Sequence, residues 1–97
     1  MSQTSLKIRR DDLHLTADDA LRASLVAVLG LEPERVARFD DETLLFGALP
    51  ELDSMAVATL LTDLEDRLRI HIDDDDVSAE SFERFGALRA MLARKLA

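Results

Sequence analysis

Asp53-Ser54-Met55-Ala56-Val57-Ala58-Thr59-Leu60-Leu61-Thr62-Asp63-Leu64-Glu65-Asp66-Arg67-Leu68 decides how this chain folds. Val57, Leu60, Leu61, Leu64 and Leu68 fall at offsets of three, four, seven and eleven from the first, which stacks them on one face of a helix. Asp53 is of the type that caps a helix start by accepting from a backbone N–H the first turn leaves unpaired. An amphipathic helix over 54–68 is therefore expected, and its apolar face requires further helices to cover it.

Those partners are legible on both sides. Downstream, Arg69-Ile70-His71-Ile72 reads as an extended linker running into the four aspartates 73 to 76. Ser78 is placed to cap a short helix carrying Phe82 and Phe85, and Gly86 to separate it from a last helix with Leu88, Leu92 and Leu96 every four residues and Met91 alongside. Upstream, the stretch from Gly30 to Leu52 is long for a connection. It carries Leu31, Val36, Phe39, Leu44, Leu45, Phe46 and Leu49, so it is expected to be packed. Pro33-Glu34 suggests a short helix near 34–38, with turns at Gly47 and Pro50. A first helix over about 17–29 follows from Leu21, Leu25, Val28 and Leu29, opened by Thr16 and Asp19 in the form of a capping box and stopped by Gly30. Residues 1–12 are expected to be a flexible segment in which Leu6 and Ile8, with Leu13, dock weakly. Residues 13–97 then form a single domain, an all-α four-helix bundle with a long ordered loop between its first two main helices.

Ninety-seven residues suffice for one modest core but not for a second domain with an enclosed active site. The formal net charge of -8 argues against nucleic acid or an anionic membrane as partner and favours basic proteins. With no cysteine, any thiol chemistry must be imported. The N-terminal residues lack the apolar run of a signal peptide and no stretch approaches a membrane span, which points to a cytoplasmic protein.

Ser54 sits at the first turn of the strongest helix, directly after the long loop. Unpaired N–H groups and the positive end of the helix dipole favour an attached anion there, and a helix tip is accessible to another enzyme. Taken alone, a serine beside an aspartate at a helix start is an ordinary cap. In its wider setting, Asp53-Ser54-Met55 resembles the Asp-Ser-Leu signature of acyl and peptidyl carrier proteins. The order of a first helix, a long apolar loop ending in Leu49-Pro50-Glu51-Leu52-Asp53-Ser54, an acidic amphipathic helix, a short helix and a final helix is similar to that family over about residues 17–96. The run from Asp41 to Ile72 looks most like a stand-alone bacterial carrier, with a faint likeness to carriers of exosortase and exopolysaccharide systems.

The resemblance implies an acyl-carrier-like bundle in which a phosphopantetheinyl transferase attaches 4'-phosphopantetheine from coenzyme A to Ser54, with Asp53 assisting that modification. It implies a non-enzyme whose arm carries acyl groups as thioesters, as in fatty acid biosynthesis, between an acyl-activating ligase and acyl-transferring enzymes with basic docking surfaces. Two positions depart from the pattern. Glu51 replaces a glycine common two residues before the aspartate, which bears on the loop turn and on which enzymes dock, and Met55 replaces leucine with little change of volume. The phenylalanines 39, 46, 82 and 85 are read as core residues, one of them lining an acyl cleft.

Between Glu51 and Asp76 lie nine acidic residues (Glu51, Asp53, Asp63, Glu65, Asp66 and Asp73 to Asp76) against two basic ones (Arg67 and Arg69), so most of the net charge surrounds the second main helix. Met55, Asp63, Glu65 and Asp66, off or beside the apolar stripe, are the candidate docking face for transient, salt-sensitive contacts. The aspartates 73 to 76 fail the EF-hand pattern, which would put Ser78 or Ala79 at the glycine position and Arg84 or Phe85 at the final glutamate, so no metal site is assigned. No Gly-x-Ser-x-Gly elbow surrounds Ser54, and neither His14 nor His71 looks like a general base, so no catalytic residues are assigned. The alternatives are an acidic helical interaction adaptor with no prosthetic group, an aminoacyl or peptidyl carrier, and, more distantly, a calcium-binding helical protein. Nothing demands more than a monomer.

Overall fold

The computed structural model describes residues 10–97, so most of the segment expected to be flexible over 1–12, with Leu6 and Ile8, lies outside the described residues. Helix α1 spans Arg10–Leu29. It starts earlier than the capping-box pattern suggested, and Thr16 and Asp19 are interior helix positions. The reason is a spacing of four that runs back from Leu25 through Leu21 and Ala17 to Leu13, with Ala17, Leu21 and Leu25 fully buried. Burial along that stripe outweighs a local capping preference. Gly30 ends the helix with φ of 69°, its N–H bonded to the Val26 carbonyl at 3.0 Å.

The long loop contains α2 (Pro33–Ala37), close to the expected 34–38, with Pro33 at its first position and Val36 buried. Helix α3 runs Ser54–Leu68 as the periodicity requires, with Leu60 and Leu64 fully buried. It ends at Arg69 in the left-handed conformation, and the linker after it is extended, held by the Glu65 carboxylate accepting from the Ile72 N–H at 2.8 Å. A 3-10 turn (Asp74–Asp76) precedes α4 (Ala79–Glu83), which Ser78 caps by accepting from the Ser81 N–H. Helix α5 spans Phe85–Leu96. Among the described residues α1, α3, α4 and α5 make a small all-α four-helix bundle, α1 packing on both α3 and α5 and α4 on α5.

The break between the last two helices falls at Arg84, not at Gly86 as expected, and Phe85 belongs to α5. An extended piece of the long loop causes it. Leu44 forms an antiparallel β-bridge with Arg84. Around that bridge Leu45 N–H donates to the Glu83 carbonyl (2.8 Å), Phe46 N–H to Phe82 (2.9 Å), Phe85 N–H to Thr43 (2.9 Å) and Gly86 N–H to Asp41 (3.0 Å). Gly86 serves this close approach: a Cβ there would lie 2.8 Å from Asp41 Cβ and 2.9 Å from Asp41 Cα.

Two polar contacts lock the layers. The fully buried Ser24 on α1 donates its hydroxyl to Asp63 of α3 at 2.6 Å, and Arg67 pairs with the same carboxylate oxygen at 2.5 Å. On the other side of α1, Asp18 receives Arg22 at 2.7 Å and Arg89 of α5 at 3.3 Å, while Arg89 also holds Asp41 at 2.5 Å. The Ser24 hydroxyl and then Arg67 hold the Asp63 carboxyl below its ordinary value. For Asp18, burial pushes upward but the two arginines outweigh it, and the net shift is also downward.

Gly86→Ala tests the close approach. Alanine gains about 1 kcal/mol as a helix former, but displacing the Asp41 backbone costs about 1–3 kcal/mol, so the urea midpoint should fall with an unchanged slope. Acid titration tests the pinned carboxylates. Because both bind protons more weakly folded than unfolded, their stabilisation is complete above the ordinary value of 3.8 and is lost as pH falls through the lower folded values. Ser24→Ala should cost about 1–2 kcal/mol at neutral pH and make stability less sensitive to pH below 4, both measured by urea unfolding across pH.

Candidate functional site

Ser54 is the first residue of α3, exposed, where the chain leaves a loop anchored by buried Leu49 and Leu52. Asp53 caps the helix: its Oδ1 accepts from the Ala56 N–H at 2.8 Å and its carbonyl from the Val57 N–H at 2.9 Å. The Ser54 and Met55 N–H groups have no acceptor among the described residues, and neither does the Ser54 hydroxyl. The tip of a 15-residue helix thus presents a free hydroxyl with donors and the positive dipole end behind it.

Ser54 opens onto a cleft of about 210 Å³ between α3 and α4, walled by Phe46, Val57, Val77, Ala79 and Phe82 with Ser78 beside them. The walls are largely apolar and suit a hydrocarbon chain, while Ser54 and Ser78 supply hydroxyls at the site. Phe39, Phe82 and Phe85 are core residues as expected, whereas Phe46 is 44% exposed and divides this cleft from a second depression. That depression, also about 210 Å³, is bounded by Phe46, Ala79, Glu80 and Glu83.

The candidate docking residues separate into two groups. Met55, 82% exposed beside Ser54, and exposed Asp66, with no polar partner among the described residues, face outward. Asp63 is engaged by Ser24 and Arg67, and Glu65 by the Ile72 N–H, with His71 Nδ1 at 3.6 Å. Elsewhere in the acidic stretch Glu51 lies 3.7 Å from Arg35, and Asp76 lies 2.9 Å from Lys95, which holds the Asp76 carboxyl below its ordinary value. The outward face of α3 from Met55 through Ala58, Thr59 and Thr62 to Asp66 therefore bears a single acid.

Sequence reasoning missed Asp18, Arg22, Arg89 and the Glu80–Glu83 depression, since these depend on contacts between distant segments. The short continuous apolar run Leu44-Leu45-Phe46 before Gly47 was the available signal for the extended piece that divides the two depressions, and such a run does not by itself separate strand from helix. His71 bonds through Nε2 to Asp73 at 2.8 Å and does not line the cleft. No described helix is long and apolar enough to cross a membrane.

No protein-family model matches the chain, and no curated protein does. Among solved structures, the holo acyl carrier protein of Nitrosomonas europaea, determined in solution by NMR, matches with a TM-score of 0.74 and 40% sequence identity, covering 81% of this chain and 94% of that one. At 40% identity over four-fifths of its length, this chain belongs to the acyl carrier protein family.

Proposed function

We propose that Ser54 carries 4'-phosphopantetheine and that the protein delivers acyl groups to partner enzymes without catalysing a reaction itself. The observation that carries this is the free Ser54 hydroxyl at the tip of α3, backed by unpaired N–H groups and opening on an apolar cleft. These residues fit the group: the helix tip would receive its phosphate, and the apolar walls would receive the beginning of a hydrocarbon cargo. When bound, the group supplies the thiol this cysteine-free chain lacks, which holds acyl groups as thioesters. The N. europaea relative is a holo carrier, which supports the same assignment here.

The protein's own residues do the positioning. Asp53 fixes the first turn and leaves its second carboxylate oxygen, Oδ2, without a partner among the described residues, available toward a transferase-bound magnesium ion. Ser54 offers its hydroxyl, and Met55 and Asp66 offer contacts along α3, whereas Asp63 and Glu65 keep α3 in place. The apolar cleft favours an acyl over a charged aminoacyl cargo. The partners are a phosphopantetheinyl transferase, an acyl-activating ligase and acyl-transferring enzymes with basic surfaces, met by a cytoplasmic monomer whose carrier domain is residues 13–97.

Incubation with coenzyme A, magnesium and a broad-specificity phosphopantetheinyl transferase should add the mass of one phosphopantetheine group to the chain and none to Ser54→Ala. An unmodified but folded chain would favour an acidic adaptor. Asp53→Asn separates the two roles of that residue: asparagine caps as well as aspartate, so the melting temperature should hold while modification slows. Asp53→Ala should in addition lose about 1 kcal/mol of stability.

A further inference from the structure

Besides Asp53 at the cap and Asp66 farther along α3, unengaged negative charge beside the Ser54 cleft lies on α4. Asp63, Glu65 and Glu51 all have intramolecular partners, whereas Glu80 and Glu83 are exposed and have no ion pair or side-chain hydrogen bond among the described residues. They border the depression whose other wall is Phe46. Leu44 and Phe46, 47% and 44% exposed, lie two apart on an extended segment whose Leu45 is fully buried, so both face outward. An exposed apolar pair framed by unpaired carboxylates, sharing a wall with the Ser54 cleft, has the composition of a recognition surface.

We propose that enzymes acting on Ser54 dock on the surface of Leu44, Phe46, Glu80 and Glu83, presenting an arginine or lysine beside an apolar side chain. This rests on the carrier function proposed above. The cation lies between the Glu80 and Glu83 carboxylates and over the Phe46 ring, and the apolar group covers Leu44. A second copy of this chain is the wrong occupant, because it would bring the same carboxylates together on a molecule of net charge -8. Since Phe46 also walls the cleft, a partner held here touches the side chain that flanks the cargo.

The test is the kinetics of Ser54 modification by a broad-specificity phosphopantetheinyl transferase, followed by intact mass, with folding of every variant checked by circular dichroism. Glu80→Lys and Glu83→Lys should each raise KM roughly tenfold with a smaller change in kcat, and Phe46→Ala should raise KM as well. Asp19→Lys, the same charge change on an exposed α1 position, should leave KM within about twofold. A larger KM effect from Asp66→Lys than from either α4 variant would place the footprint along α3 and overturn the proposal while leaving the carrier function intact. Absence of modification in the unaltered chain would overturn both.

Discussion

The hold of the 39–46 segment on the junction of α4 and α5 is the constraint on which the rest depends. Fixing each residue of so long a connection costs about 1–2 kcal/mol of backbone entropy, and the segment has no helix of its own. Its backbone bonds to residues 82–86 are reinforced by two arginines from different helices. Arg22 donates to the Val36 and Phe39 carbonyls at 2.6 and 3.0 Å, and Arg89 holds Asp41. Both guanidiniums lie over the ring of buried Phe85, at 4.6 and 5.8 Å, and Phe39 meets its edge with centroids 6.1 Å apart. Because the two arginines share Asp18, loosening the loop would disturb α1 and α5 together.

The cleft beside Ser54 follows from that hold. Helix α4 has five residues, too few to persist without tertiary support. Buried Phe82 anchors it from below, and the loop bonds to Phe82 and Glu83 anchor it from the side. The same extended backbone alternates its side chains, which buries Leu45 and turns Phe46 outward to wall the cleft. Ser54 arrives at this wall because Leu49 and Leu52 bury the last part of the loop before the helix begins.

What was legible in the sequence was what local physics decides. At α3 the capping residue and the helical period agree, and the helix begins and ends where they say. At α1 they conflict: Thr16 and Asp19 suggest a start, but the fourfold spacing from Leu13 continues through it, and burial prevails. Gly86 was misplaced for another reason. A glycine that ends a helix and a glycine that admits a distant backbone look alike in sequence, and only the position of Asp41 distinguishes them. The candidate site was legible at Asp53 and Ser54, whose geometry is local, and only partly so at its rim, where Phe46 meets α4 across a long separation.

Formal charge is additive along a sequence, but recognition depends on charge that has not already found a partner. The acids from Glu51 to Asp76 look like one surface when counted, yet several of them hold the fold: Asp63 ties α3 to α1, Glu65 holds the linker, and Asp76 holds Lys95 of α5. Their field still contributes to attraction at a distance, over about 8 Å at physiological salt. At contact the uneven satisfaction matters more, since displacing a cation already bound within the molecule gives up as much as the new pairing gains. A partner approaching Ser54 therefore meets an outward α3 face with one free acid, Asp66, on one side and the unpaired carboxylates of Glu80 and Glu83 beside exposed Phe46 on the other, and the asymmetry of the helix tip arises from which acids the fold has already used.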